Sequence, residues 1–479
     1  MPDAAPVLLW FRNDLRLSDH AALAAALASG RRVVPVFVRD DAAAGAWAPG
    51  GASRWWLHHS LAALEADFTA RGGRLVLRRG DAAAIIPALA REIGAVAVHA
   101  GRAHEPWLRE ADRRVAAALQ EAGIGFHRHR SALMFGPERI TTRTGGVYGV
   151  YTPFSRACFD AFAPRPPIPA PARLAAAGDP GGDRLGDWGL LPVKPDWAGG
   201  LRASWTPGEA GARARLDAFL ADGFGEYDRQ RDLPGIAGTS GLSPHLHWGE
   251  IAIDAVWRAA VAAPGRDAAR QTFLKELIWR EFAAYLLWHT PDLATRPMKA
   301  QFAAMPWRES AADLAAWQRG RTGVPIVDAG MRQLWQTGWM HNRVRMIVAS
   351  FLVKHLLLPW QAGERWFHDC LVDADAASNA ASWQWVAGSG ADAAPYFRIF
   401  NPVLQGRKFD PDGAYVRRFV PEIANLPDKY LHAPWEAPEI VLRGAGVRLG
   451  ASYPRPVVDL AEGRERALAA FAAISGKAS

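Results

Sequence analysis

Only two cysteines, Cys158 and Cys370, occur in 479 residues. That excludes a disulfide framework, and it excludes an iron–sulfur cluster held by four cysteines of one chain. No apolar run is long enough to span a bilayer: the best, at 346–353, is broken by Lys354, so no membrane association is expected. The opening MPDAAPVLLWFRNDLRL has a short apolar run closed by Arg12 and no cleavage-like segment. It reads as a first strand rather than a signal peptide, and the expected location is the cytoplasm. Glycine-rich phosphate loops are missing as well. The turn after the first apolar run, RNDLRLSDH, contains no glycine, no Walker loop occurs, and GAGVRLG at 444–450 has the wrong spacing for a dinucleotide fingerprint. Histidine-rich pieces at His58, His127 and His245 are joined by no cysteines or second ligand pair, so no metal is expected.

Tryptophan, in contrast, is abundant: 21 against 8 tyrosines. Its N–H wants a partner, which makes it a costly core filler, so the excess points to stacking or redox work. A net charge of +8 makes a polyanionic partner plausible. The length favours two domains. From residue 7 to 129, short β-branched runs (VLLWF, RRVVPVFV, RLVLRR, AVAVHA, IGFHRH) alternate with alanine-rich helical patterns, the signature of a parallel sheet with helical crossovers. The expected division is an α/β domain over 1–130, a Pro/Gly-rich linker over 131–205, and an all-helical domain over 206–479, where apolar spacing of three and four dominates.

Several stretches of the helical half carry chemistry. In GTSGLSPHLHWGE, Thr239, Ser240 and Ser243 stand beside glycines ahead of a helix, which makes either an ordinary N-cap or an anion site suited to a diphosphate. In KELIWREF, Glu276 lies three and four residues before Trp279 and Arg280, so a carboxylate, an indole and a guanidinium can share one side of a helix; a plain ion pair beside a core tryptophan is the alternative. In GWMHNRVRMI, Asn342, Arg343 and Arg345 interrupt an apolar helix that continues with Met346. Buried arginines need anionic partners, and Asp373 and Asp375 are candidates. In ASNAASWQWVAGSG, Asn379 and Trp383 share a helical face, whereas Trp385 points about 200° away from Trp383.

WFRNDLRLSDHAAL, TSGLSP, ELIWREF, TGVPIVDAGMRQL, TGWMHNRVRM and DADAASNAASWQW, followed by DAAPYFRIFNP, closely resemble the photolyase/cryptochrome flavoproteins over nearly the whole chain. The resemblance implies an N-terminal α/β antenna domain and a helical domain that holds U-shaped FAD in a cavity facing DNA. Tyr227, Thr239, Ser240, Leu242 and Ser243 match positions at the FAD phosphates and neighbouring groups. Arg280, Arg345, Asp373, Asp375 and Asn379 match those around the rest of the cofactor, with Arg345 and Asp373 as the pair flanking the ring and Asn379 facing flavin N5. Trp383, Trp360 and Trp307 correspond to the family's electron-transfer chain from flavin to surface.

The family contains repair enzymes and light sensors. Plant-type cryptochromes carry Asp where Asn379 stands; a carboxyl can hand the flavin a proton, whereas a carboxamide cannot and suits the fully reduced anion needed as electron donor. The substrate-side set for cyclobutane pyrimidine dimers is complete: Glu276, Trp279, Asn342, Arg343, Met346 and Trp385, of which Glu276 and Asn342 also border the cofactor. In (6-4) photolyases the MHNR position carries histidine chemistry instead; here His341 is followed by Asn342 and Arg343. The reading is a class I/III-like photolyase, acting as a monomer on UV-damaged DNA, whose phosphates Arg231 and Arg343 grip. The alternatives are a cryptochrome-like photoreceptor, against which the short tail counts, or a (6-4) photolyase. Glu105 and Trp107 in HAGRAHEPWLRE resemble the antenna's folate edge, which implies 5,10-methenyltetrahydrofolate. HTPDLATRP lacks the Cys-Lys pair of some class I folate sites, leaving room for a class III-like pose.

Overall fold

A computed structural model describes residues 5–163, 165–175, 178, 180–393 and 397–476. Residues 394–396 of the DAAPYFRIFNP stretch and the last three of the tail lie outside the described residues.

The chain divides into two compact units: residues 1–225, 240–291 and 372–376 form the first, and 226–239, 292–371 and 377–479 the second. They cut the chain elsewhere than the composition does, because segments from the expected linker and the expected helical half pack with the sheet. In the first unit, strands β1 (Val7–Phe11), β2 (Val33–Arg39), β3 (Val76–Arg79), β4 (Ala97–Gly101) and β5 (Gly125–His129) form an all-parallel sheet in the order β3-β2-β1-β4-β5. Val7 registers with Val33 on one side and Ala97 on the other. β1 shows no polar alternation because both faces are covered. Val7, Leu9 and Phe11 enter a core with Trp55, Trp56 and Phe68, while Leu8 and Trp10 enter a second with Val36, Ile86 and Leu89.

The Pro/Gly-rich stretch supplies core as well as connection. Trp188, Leu190 and Leu201 join the first of these cores. The helix Tyr151–Ala161 buries Tyr151, Phe154, Ser155 and Cys158, and Tyr151 and Phe154 meet Phe282 of the long helix Asp267–His289. Glu250 ties three segments of this unit: one oxygen accepts from Trp56 Nε1 (2.9 Å) and Gly208 N (2.7 Å), and the other meets His245 Nδ1 at 2.5 Å.

The second unit is helical. In TGVPIVDAGMRQL the buried Asp328 accepts from Thr322 N and Oγ1, Gly323 N and Tyr453 Oη at 2.6–3.0 Å. That carboxylate fixes the start of the helix Pro325–Thr337. A satellite core gathers Phe302, Met305, Leu357 and Phe397 under the last helix, Leu460–Ser475, with Trp307 packed against it. Among the described residues, no helix is long and apolar enough to cross a membrane.

Candidate functional site

The helix Ala376–Ala387 carries three of the expected residues. Trp383 is buried and Trp385 is part-exposed, as their angular separation requires. Gln384, between them, was not anticipated. It is fully buried, and its Nε2 donates to Leu293 O (2.6 Å) and Arg296 O (2.8 Å) while its Oε1 accepts from Met298 N (2.9 Å) and Ser389 Oγ (3.1 Å). This fourfold anchor fixes the helix's rotation and hence the directions of both indoles. One turn earlier, Asn379 Nδ2 donates to Glu364 O (2.9 Å) and Glu364 Oε1 (3.0 Å). A backbone carbonyl can only accept, so the amide's orientation is set and Oδ1 is the atom the side chain can present elsewhere. Burial pushes the Glu364 carboxyl up to about 8, so it is protonated at neutral pH.

Trp383 packs edge-on against Phe367 at 5.0 Å and Trp317 at 6.1 Å. The helix Trp360–Cys370 lies against the indole through Gly363, where a Cβ would come within 2.1 Å of Trp383 Cη2. Among the three residues of the expected electron chain, Trp383 and Trp360 are both 2% exposed and Trp307 is part-exposed.

The helix Asn342–Ser350 exposes Asn342 at its first position, with Arg343, Arg345 and Met346 part-buried. The partner of Arg343 is neither of the two expected aspartates but Asp232, at 2.7 Å, and its guanidinium lies over Phe409. Arg231 Nε stands 3.9 Å from the same carboxylate and over Tyr227. Arg345 donates to Met340 O. His341 caps this helix, its Nδ1 accepting from Arg343 N, and burial holds its pKa down to about 4, so the imidazole is neutral.

In the first unit, Leu242 is buried, Ser240 part-exposed and Ser243 exposed at the head of the five-residue helix Ser243–His247; Thr239, part-exposed, ends the preceding segment of the second unit. Ser240 Oγ accepts from Leu242 N, and Gly241 takes a left-handed φ of +61°. An unforeseen cation, Arg215, lies against this turn: a Cβ on Gly241 would be 3.0 Å from its guanidinium. Glu276, Trp279 and Arg280 are part-exposed on one long helix. Arg280 donates to Ala132 O (2.7 Å) and Leu246 O (3.2 Å). Asp373 is buried, and Asp375 stands 3.6 Å from His247 Nδ1. Glu105, expected at the antenna, belongs to this same neighbourhood: its carboxyl is pushed up by burial and then by Asp375. Trp107 is part-exposed in the first turn of the helix Pro106–Glu121. Glu364, Asp232 and Arg215 lie outside the quoted motifs, and Gln384, although inside DADAASNAASWQW, carries no local signal of its role. Each is defined by a partner distant in sequence.

The family profile described as DNA photolyase matches residues 7–172, and the one described as the FAD binding domain of DNA photolyase matches 273–473. Over 98% of both chains, this sequence is 52% identical to the deoxyribodipyrimidine photo-lyase of Agrobacterium fabrum. The chain belongs to the photolyase/cryptochrome family. Its cryptochrome relatives include cryptochrome-1 of Arabidopsis thaliana, 36% identical over 96% of this chain and 69% of that one. The fold superposes on the crystal structure of a bacterial class III photolyase from Agrobacterium tumefaciens with a TM-score of 0.96, at 51% identity over 98% of each chain. The family's FAD-binding region contains Glu276, Trp279, Arg280 and all the expected residues after them, whereas Tyr227 and the 239–243 turn precede it.

Proposed function

We propose that the chain is a light-dependent deoxyribodipyrimidine photo-lyase that splits cyclobutane pyrimidine dimers in DNA, with residues 1–130 as antenna domain, 131–205 as linker and 206–479 as catalytic domain. FAD, when bound and reduced, supplies the photoexcited electron. The observation that carries the reading is Asn379. Its NH2 is committed to Glu364, so it offers a carbonyl oxygen to its neighbour and has no acidic proton to give. That suits a cofactor kept as a reduced anion.

The phosphates are held by Tyr227, Thr239, Ser240, Leu242 and Ser243, and Arg215 beside Gly241 adds a positive charge there. Arg280, Asn342, Arg345, Asp373, Asp375 and Asn379 surround the remainder. Trp383, Trp360 and Trp307 relay electrons; the half-buried last member meets solvent while the other two stay dry. Trp279 and Trp385 form the aromatic wall for a pyrimidine pair taken out of the stack, a manoeuvre general to enzymes that act on bases. Asn342 and Met346 complete that pocket, and Glu276 hydrogen-bonds the pyrimidine edge and stabilises charge on it. Arg231 and Arg343, spaced by Asp232, contact the DNA backbone. The buried, neutral His341 gives its Nδ1 to capping a helix and is followed by Asn342 and Arg343, which favours dimer splitting over (6-4) repair. Glu105 and Trp107 face the antenna, 5,10-methenyltetrahydrofolate, and the protein works as a monomer.

The deciding experiment is blue-light repair of an oligonucleotide carrying one thymine cyclobutane dimer, with reduced protein and a dark control. Light-dependent return of intact thymines is expected, and Glu276→Ala should slow it. Absence of repair by fully reduced, flavin-loaded protein would overturn the reading in favour of (6-4) repair or photoreception.

A further inference from the structure

We infer that Tyr151 is a positioning residue for lesion recognition: it backs Trp279 and holds the indole as a fixed platform for the extruded pyrimidine pair. The inference rests on the proposed role of Trp279 and extends it to a residue outside the motifs.

Tyr151 and Trp279 stack with ring centroids 3.6 Å apart and an interplanar angle of 4°. Aromatic pairs left to themselves prefer offset or edge-to-face arrangements with centroids roughly 4.5–7 Å apart, so this near-coaxial stack is held from outside. The holding contacts are visible. Tyr151 Oη donates to Lys275 O at 2.7 Å, the carbonyl that the N–H of Trp279 uses in an α-helix. The phenol is therefore pinned at the root of the side chain whose face it covers. Phe282 meets Tyr151 and Trp279 edge-on, both at 5.9 Å, which blocks sideways slip. Tyr151 is buried at the head of a helix that sinks Phe154, Ser155 and Cys158, whereas Trp279 stays part-exposed. A rigid buried ring thus stands behind an accessible one. An indole already ordered in this way need not lose rotamer freedom when a base stacks on its other side.

The test uses flavin-loaded protein and one duplex with or without a single thymine cyclobutane dimer. Tyr151→Leu is expected to weaken binding of the damaged duplex about tenfold, the upper end of an aromatic stack's worth. Binding of the undamaged duplex and repair at saturating DNA should be unchanged. Tyr151→Phe keeps the ring but loses the tether to Lys275 O, so its loss should be about threefold, between the wild type and Tyr151→Leu. Should Tyr151→Leu fail to load flavin, Tyr151→Met fills the space flexibly and is held to the same criterion. Trp279→Ala separates the two layers of the argument. If it abolishes discrimination and the Tyr151 variants discriminate as wild type, the platform inference is overturned. If Trp279→Ala itself leaves discrimination intact, the wall reading fails instead. Adding Tyr151→Leu to Trp279→Ala should cost nothing more, because the backing has nothing left to hold.

Discussion

β1 and the helix Ala376–Ala387 are both deeply buried, yet they are specified in different ways. β1 is VLLWF, apolar on both faces, and its backbone groups are satisfied by neighbouring strands. Any side chain of similar volume serves there, since the penalty is confined to packing. The helix buries Trp383 and Ala380 alongside Asn379 and Gln384, whose amides must find partners because a dry polar group without one is costly. For Gln384 three of the four partners lie 86–91 residues away, and Ser389 alone is local. Burial by itself therefore says little; what matters is whether the buried group is interchangeable.

The sharpest way to break this comparison is a pair of near-isosteric swaps. Gln384→Leu leaves Leu293 O, Arg296 O and Met298 N without the amide, and should cost about 3–5 kcal/mol through several orphaned groups. Leu9→Ile in β1 should cost about 1 kcal/mol. Thermal unfolding of both variants reads the difference, and equal losses would refute it. A smaller effect is expected from Gly363→Ala. Its new methyl meets the indole of Trp383, and overpacking of this kind costs about 1–3 kcal/mol. The displaced ring should also slow photoreduction of the flavin, measured by absorbance under blue light, with the flavin still bound. Unchanged photoreduction would remove Trp383 from the electron route.

The contrast also explains what could be read in advance. The five strands and their parallel direction follow from β-branched runs separated by helical patterns, and the divergence of Trp383 and Trp385 follows from helical geometry alone. Arg343 shows where such reading stops. That a buried guanidinium needs an anion is legible; that the anion is Asp232 rather than Asp373 or Asp375 depends on how the chain folds back. Trp188 and Leu201 tell the same story for the Pro/Gly-rich stretch, whose composition hides residues that complete the sheet's core. Glu364 has no motif at all, since its environment alone makes it a neutral acid.

Glu364 offers a gentler probe. Its folded pKa of about 8 lies above the 4.5 of an ordinary glutamate carboxyl. Between those limits the folded chain keeps a proton that the unfolded chain releases, so stability is full below about pH 4.5 and falls as pH rises toward 8. The slope should be about 1 kcal/mol per pH unit at its steepest. Glu364→Gln keeps an acceptor for Asn379 and cannot ionise, so its melting temperature should lose this component of the pH dependence. A wild-type slope retained in the variant would assign the titration to another group.

The least disruptive prediction concerns charge rather than packing. Asp232 is shared by Arg343 at 2.7 Å and Arg231 at 3.9 Å, all three part-exposed. Two guanidiniums facing one carboxylate keep a single net positive charge and hold a fixed spacing. Asp232→Asn frees the second charge, so binding of undamaged duplex at low salt should tighten about twofold to fivefold, with a salt dependence steeper by about one phosphate contact. Repair at saturating DNA should be unaffected. Weaker binding would mean that Asp232 orients the arginines more than it neutralises them, and the polar part of the comparison would then extend from the buried helix to the surface. There too, the identity of the partner would matter more than the charge it carries.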